Sequence, residues 1–297
     1  MELWTDSFLE YLGAERNYSL ATIESYAKDL SMFQAFLEGL TPDASWTAVE
    51  ANDVREWVIY LLDEQKMSAA SVNRKLSALR TFYKYLRRVG RVNINPMEKV
   101  VAPRKKRPLP YFVRESEMDK LLEMTAEDRS FKGIRDRLIL MMFYETGIRR
   151  AELLGMTDAS VDMVAKQNKV TGKRNKQRSG PFGEEVENEI ETYRAAREEL
   201  LGEKHFPALF VTEKGAAMSE TLISRIVKGN LSKVTTIKKR SPHVLRHSFA
   251  TAMLNNHADL TSIQKLLGHE SVATTEVYTH VSFEELKNEY KNAHPRK

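Results

Sequence analysis

The chain has 297 residues, 42% of them hydrophobic, which suffices for one large core or two ordinary ones and excludes global disorder. Lys and Arg number 46 against 41 Asp and Glu, a formal net charge of +5 that permits an anionic partner without requiring one. The lack of cysteine excludes disulfides, thiolate zinc sites and a cysteine nucleophile, and it fits a reducing compartment.

The amino terminus, MELWTDSFLEYL, carries acidic residues early and does not follow the basic-then-apolar pattern of a signal peptide. The longest apolar run, residues 138–144, is too short to span a bilayer. The expectation is a cytoplasmic protein with no membrane partner.

The first hundred residues predict helices. Ile23, Tyr26, Leu30, Phe33 and Leu37 recur at three- and four-residue steps and make one apolar stripe, with Ser19 where an N-cap is wanted. Val54, Val58, Leu61 and Leu62 make a shorter stripe. Val72, Leu76, Leu79, Tyr83 and Leu86 make a third, opened by Ser68 and closed by Gly90 and then Asn95-Pro96. The expected module, residues 1–100, is a small all-helical bundle.

Residues 101–110, VAPRKKRPLP, place three prolines around the cations Arg104, Lys105, Lys106 and Arg107. Proline stiffens and extends the backbone, so the segment reads as an inter-domain linker. Its cations suit either phosphate contact or a solvated connector.

Residues 111–297 predict a mixed, mostly helical domain. Residues 115–124, 131–145 and 184–200 carry helical patterns. Lys169-Val170-Thr171 and residues 179–182 flank a basic tip, residues 172–178, and suggest two short strands joined by a loop. Residues 208–212 are expected as a short strand, and successive short helices follow from Ser219. The fold class is therefore mainly α, with a small antiparallel β-sheet in the second domain.

Four segments carry candidate chemistry, and each admits a purely structural reading. In SPHVLRHSFAT, residues 241–251, Ser241 can N-cap and Pro242 suits the first helical position. His243 lies in the first turn, with Arg246 three residues on, at a helix start whose free N–H groups favour a phosphate. His243 and His247 have zinc-helix spacing, but Val244 follows where a metalloprotease needs Glu, and no cysteine completes a structural site. In ETGIRRAELLGM, residues 145–156, Arg149 and Glu152 could form an ordinary helical ion pair. In LLGHESVATTEVYTH, residues 266–280, Gly268 reads as a helix stop, His269 follows it, and Tyr278 suits either a buried hydroxyl or a nucleophile. TGKRNKQR, residues 171–178, is either a solvated hairpin tip or a basic finger for a groove.

Their order is more specific than any one of them. Arg149, a basic hairpin with Lys173, His243-x-x-Arg246, Leu-Gly-His269 and Tyr278 together resemble the tyrosine recombinase (phage integrase) family, most closely its Xer-type members. The resemblance spans nearly the whole chain. It implies an all-helical, SAM-like N-terminal DNA-binding bundle over residues 1–100, a basic proline-containing linker over 101–110, and a catalytic domain over 111–297 that ends in an exchange helix.

It also implies roles. Arg149 and Arg246 would clamp the scissile phosphate and Tyr278 would attack it, forming a 3′-phosphotyrosyl link. Lys173 would protonate the leaving 5′ oxygen, His243 would assist deprotonation of Tyr278, and His269 would hydrogen-bond the phosphate. Glu152 matches the accessory acidic position. No metal, ATP or other cofactor is implied.

The implied partners are double-stranded DNA and further recombinase protomers, in a homo- or hetero-tetramer that forms on paired sites. A second recombinase or a regulator can belong to it. Arg74, Lys75, Arg80, Lys84, Arg87, Arg88 and Arg91 crowd one helix and its end, and some are expected to touch phosphates. Phe283, Leu286 and Tyr290 stand at helical spacing in a tail that would dock into a neighbouring protomer or cap its own domain. The implied cell role is chromosome-dimer resolution, mobile-element integration or inversion. A type IB topoisomerase shares this chemistry, and a catalytically silent DNA-binding protein is the alternative from another class. Two departures stand out: Arg150 directly beside Arg149, and Gly180 where relatives often carry a branched apolar residue.

Overall fold

In a computed structural model of the chain, which describes residues 2–41, 44–104, 111–172, 177–203, 206, 208–268 and 283–295, the apolar stripes become the buried faces of helices. The chain divides into two units, residues 1–108 and 109–297.

The first unit holds α1 (Glu2–Ala14), α2 (Leu20–Leu40), α3 (Ala51–Ile59) and α4 (Ala69–Arg88). The stripe residues Leu30, Phe33, Val54, Leu61, Val72, Leu76, Leu79, Tyr83 and Leu86 are fully buried in one core with Trp46 and Trp57. Ser68 caps α4 by accepting from the Ser71 amide at 3.2 Å. Ser19 takes the cap position of α2 without a side-chain cap bond. After Ile59 the helix runs on as one π turn, Tyr60–Glu64, which periodicity alone does not show.

The basic residues of α4 and of the turn after it are of two kinds. Lys75 is buried and reaches the buried Asp29 at 3.0 Å, and Arg74 joins the same carboxylate at 2.8 Å. Arg87 pairs with Glu98, Arg88 with Glu15, and Arg91 lies over the Trp4 ring. The pairs of the second kind are exposed and contribute little, so they do not withhold those cations from a phosphate.

The second unit is built around α6 (Phe131–Thr146), whose residues Leu138 to Phe143 are fully buried. This explains why the apolar run there has no polar face: α5 (Glu115–Ala126), α8 (Glu184–Leu201), α9 (Glu220–Val234) and α10 (Pro242–Asn255) all pack on it. The short α7 (Arg150–Leu154), α11 (Leu260–Leu267) and α12 (Phe283–Ala293) complete the helices among the described residues. None of these helices is long and apolar enough to cross a membrane.

The sheet is antiparallel in the order β1 (Val161–Asp162), β2 (Gln167–Thr171), β3 (Gln177–Pro181). Two features depart from expectation. Arg178 belongs to strand β3, opposite Val170, and not to the tip. Gly180 faces the buried Asn168, and a Cβ there would meet its carboxamide at 3.2 Å, so a side chain at this position requires Asn168 to shift. The basic linker residues 105–110 lie outside the described residues.

The strand expected over residues 208–212 reduces to a single bridge between Val211 and Ala217. Its backbone groups are satisfied elsewhere. The Leu209 amide donates to the Met156 carbonyl at 2.7 Å, and the Leu209 carbonyl accepts from the Tyr193 hydroxyl and Arg197, both at 3.0 Å. Side chains take the place of a ladder partner.

Within this unit α12 packs on α10 and α11. Tyr290 and Ala293 are buried, and the His294 ring stacks between Tyr290 and Phe249 at 5.0 and 5.5 Å. In the single chain the tail therefore caps its own domain.

Gly147 ends α6 with φ +59°, and a Cβ there would lie 2.6 Å from Phe249 and 2.8 Å from Leu267. Gly147→Ala combines backbone strain with a clash inside a packed site. It is expected to lower unfolding free energy by about 2–4 kcal/mol in urea titration. A change within about 0.5 kcal/mol, the ordinary surface value, would refute that account.

Candidate active site

Three guanidiniums meet around one carboxylate. The left-handed turn at Gly147 ends α6 and delivers Arg149 to the N-cap of α7. From there Arg149 Nη1 lies 2.7 Å from Glu152 Oε1, and the Arg149 amide donates to Glu152 Oε2 at 2.8 Å. Glu152 thus closes a capping box and an ion pair at once, which is more than the ordinary helical pair that the spacing allows. Arg178 arrives from β3 and grips the same carboxylate, with Nη2 2.6 Å from Oε2 and Nε 3.3 Å from Oε1. Arg246, on the second turn of α10, is buried at 7% exposure and donates to the Gly147 carbonyl.

The three arginines also hold three successive carbonyls where α11 ends. Arg178 donates to Leu266, Arg246 to Leu267, and Arg149 to Gly268 at 2.7 Å. That end of a helix is the negative end of its dipole, so the carbonyls help to compensate the crowded cations. Gly268 adopts φ +60°, and a Cβ there would meet Arg178 at 3.0 Å.

Compensation is incomplete. Burial alone would push the Glu152 carboxyl up, but the hydrogen bond and charge of Arg178, with Arg149 behind it, bring it down to about 2. Arg246 is lowered to about 9 by burial first and then by the charges of Arg149 and Arg178, against which Glu152 acts. It stays protonated at neutral pH. Burial is the largest cause of that shift; the repulsion from two neighbouring cations adds to it and by count exceeds what the one carboxylate offsets, so an anion would relieve it. Each guanidinium has five N–H donors. Among the described residues Arg149 and Arg246 each spend two on the side-chain bonds named above, which leaves donors for a ligand.

His243 sits in the first turn of α10 with an exposed side chain. Partial burial, then Arg150 and Arg246, lower its pKa below the ordinary 6.5. At neutral pH the imidazole is therefore uncharged and able to accept a proton. Arg150 turns away from Arg149 and binds Ser224 Oγ at 2.9 Å and Glu220, tying α7 to α9. Ser241 holds the N-cap position of α10 without a side-chain cap bond.

The structure thus brings Arg149, Glu152 and Arg246 together and places His243 on the same helix as Arg246. Lys173, His269 and Tyr278 lie outside the described residues. Arg178 was not among the sequence candidates. The strand alternation contained the signal: Val170 is buried, and the residue paired with it across an antiparallel ladder points to the same face.

Comparison with known proteins follows the same division. Residues 111–285 match the phage integrase family, and residues 5–90 match the phage integrase N-terminal SAM-like domain. The chain is 40% identical to tyrosine recombinase XerC of Staphylococcus haemolyticus over 98% of its own length and 96% of that protein's. It is 38% identical to tyrosine recombinase XerC of Chlorobaculum parvum, over 98% and 94%. Among solved structures, the Tn1549 transposon integrase in complex with circular intermediate DNA superimposes with a TM-score of 0.71 at 18% identity, covering 96% of this chain and 98% of that one. XerH bound to a palindromic difH substrate does so with 0.70 at 22% identity, covering 96% and 83%.

The Glu152 carboxyl makes a pH-dependent contribution whose sign is fixed. Its folded pKa lies below the ordinary 4.5, so the stability it adds is full above 4.5 and is lost as pH falls from there to about 2. At about 1.4 kcal/mol per pKa unit this is on the order of 3 kcal/mol at neutral pH. The stability gap between wild type and Glu152→Gln, measured by denaturant titration, is expected to be full at neutral pH and to close across that acid window. A gap that does not vary with pH would count against the assignment.

Proposed function

The chain belongs to the phage integrase family of tyrosine recombinases and is a site-specific DNA breaking-rejoining enzyme; on that premise we propose that it works through a covalent link to Tyr278. The observation that carries this reading is the arginine pair. Arg246, buried, and Arg149, partly exposed, stand close enough for their charges to repel and leave donors for a ligand in one place, which suits a phosphodiester whose non-bridging oxygens gain charge during attack.

In the proposed reaction the Tyr278 oxygen attacks phosphorus, and the bond from phosphorus to the 5′ oxygen breaks. A 3′-phosphotyrosyl link and a free 5′ hydroxyl result. His243, neutral at the working pH, takes the tyrosine proton. Lys173 gives a proton to the leaving oxygen, and His269 hydrogen-bonds the phosphate. The phosphotyrosine retains the energy of the broken bond, so rejoining is the same steps reversed with a new 5′ hydroxyl. The scheme assigns no step to ATP, a metal or any other cofactor.

Double-stranded DNA is the proposed partner, in the cytoplasm. We assign DNA contact to residues 1–100 through the exposed cations of α4, and to the basic linker, residues 101–110. The catalytic domain, residues 111–297, would act in a homo- or hetero-tetramer with further recombinase protomers, and a second recombinase or regulator can take part. Tyr290 and His294 leave their own domain if α12 is exchanged between protomers. The match of residues 5–90 to the SAM-like domain favours recombination over simple relaxation. The role then falls among chromosome-dimer resolution, integration and inversion.

Covalent trapping tests the chemistry. Protein is mixed with nicked fragments of the source genome in excess EDTA and denatured in detergent. Protein-linked DNA is expected from wild type and none from Tyr278→Phe, with Arg149→Ala or Arg246→Ala lowering the yield about 100-fold or more. Adducts that persist in Tyr278→Phe would overturn the assignment of the nucleophile. A truncation after residue 282 is expected to lose assembly on paired sites in gel-shift experiments. Synaptic complexes of wild-type yield from that truncation would exclude exchange of α12.

A further inference from the structure

The proposed reaction explains why Arg149 and Arg246 are present. It leaves Arg178 without a role, although its side chain reaches from the hairpin into the site and is only 13% exposed. Resting on that reaction, we propose that Arg178 is a positioning residue for DNA cleavage: it fixes Arg149 through Glu152 and fixes the end of α11 through the Leu266 carbonyl.

The geometry supports this in three steps. First, Arg178 and Arg149 share one carboxylate. Arg178 takes Oε2 with Nη2 at 2.6 Å and approaches Oε1 with Nε at 3.3 Å, while Arg149 Nη1 takes Oε1 at 2.7 Å. A carboxylate held by a forked guanidinium has little rotational freedom, so the partner on its other oxygen is oriented as well. Glu152 has 2% side-chain exposure, so water cannot substitute for the lost partner.

Second, Arg178 reaches the helix end from which the chain runs on to His269 and Tyr278. Its Nη1 donates to Leu266, one carbonyl before the one held by Arg246 and two before the one held by Arg149. The side chain also fills the space beside Gly268, where an added Cβ would meet it at 3.0 Å.

Third, Arg178 lies on β3, the return strand of the hairpin whose tip carries Lys173. One side chain therefore joins the hairpin, the Arg149 turn and the α11 end. A lysine cannot do the same work, because a single ammonium does not span a carboxylate and a carbonyl in a fixed plane.

The test measures cleavage and binding separately, with full-length protein on the nicked genomic duplexes recovered by trapping with wild type. With Arg178→Lys and Arg178→Ala, the single-turnover rate of adduct formation at saturating DNA is expected to fall tenfold or more. The dissociation constant for the same DNA should stay within about threefold, since misplacement costs rate more than affinity. The acid side of the pH–rate profile should move to higher pH, because Glu152 loses the partner that holds it ionised. In a Glu152→Gln background, Arg178→Ala should cost much less than in wild type, as expected of residues acting in series.

Wild-type rates in both variants would overturn the proposal. So would a loss confined to DNA affinity, or an equal loss with and without Glu152. Melting curves identify a variant that fails to fold, in which case Arg178→Lys and the double-variant comparison decide. Failure of wild type itself to form a Tyr278-dependent adduct would refute the underlying reaction instead, so the two failures are distinct.

Discussion

Like charges brought together inside a protein repel, and the second unit is arranged around that repulsion. Arg149, Arg178 and Arg246 come from a helix N-cap, a strand and a helix; the first two grip Glu152, and Arg246 lies near enough to feel the charges of all three. One carboxylate cannot neutralise three guanidiniums. The rest of the compensation comes from carbonyl dipoles: Gly147 and the successive oxygens of Leu266, Leu267 and Gly268. Each of those carbonyls is free because a helix has ended, α6 at Gly147 and α11 at Gly268. Both endings use a glycine in the left-handed region, where an L side chain would be strained and would collide with its neighbours. The electrostatics of the site and the backbone of two helix ends are thus one constraint.

That arrangement has a cost that makes chemical sense. Burying a cation next to two others is unfavourable, and the downward shift of Arg246 expresses it. A protein selected for stability alone would fill the space with apolar side chains. Retaining the charge means that the donors are already aimed and partly stripped of water before a phosphate arrives, so little reorganisation remains for the reaction itself. His243 lies in the same surroundings: partial burial, with Arg150 and Arg246 behind it, lowers its pKa and keeps the imidazole neutral.

The sequence displayed the helices well because their signals are local. The stripes of α2 and α4 and the cap at Ser68 depend on residues within a few positions of one another. The catalytic candidates were legible through a resemblance in which order and spacing of residue types carry the information. What escaped depends on distant partners. Residues 208–212 look like a strand until Tyr193 and Arg197, from α8, satisfy the backbone that would have built one. Arg178 counts as one more cation in a basic tip until the register places it opposite Val170 and within reach of Glu152. Gly180 reads only as a departure from its relatives until Asn168 is seen beside it. The π turn after α3 leaves no mark in the apolar period at all.

The same division between local and distant partners sorts the cations of the first unit. Arg74 and Lys75 sit on a carboxylate that is 1% exposed, and removing both would leave a buried charge uncompensated. Arg87 and Glu98 are each 59% exposed, so a phosphate can replace the carboxylate at little cost. Counting basic residues on α4 therefore overstates the surface available to DNA. Burial of the partner, and not the presence of an ion pair, decides which cation is structural and which is available. By that criterion Lys75 belongs with Arg178, committed to the protein's own carboxylate. Arg87 and Arg88 are the available kind. Arg149 is intermediate: it shares the buried Glu152 with Arg178, but its own side chain is 35% exposed and keeps donors beyond the two bonds named, so partner burial and the cation's own exposure together decide there.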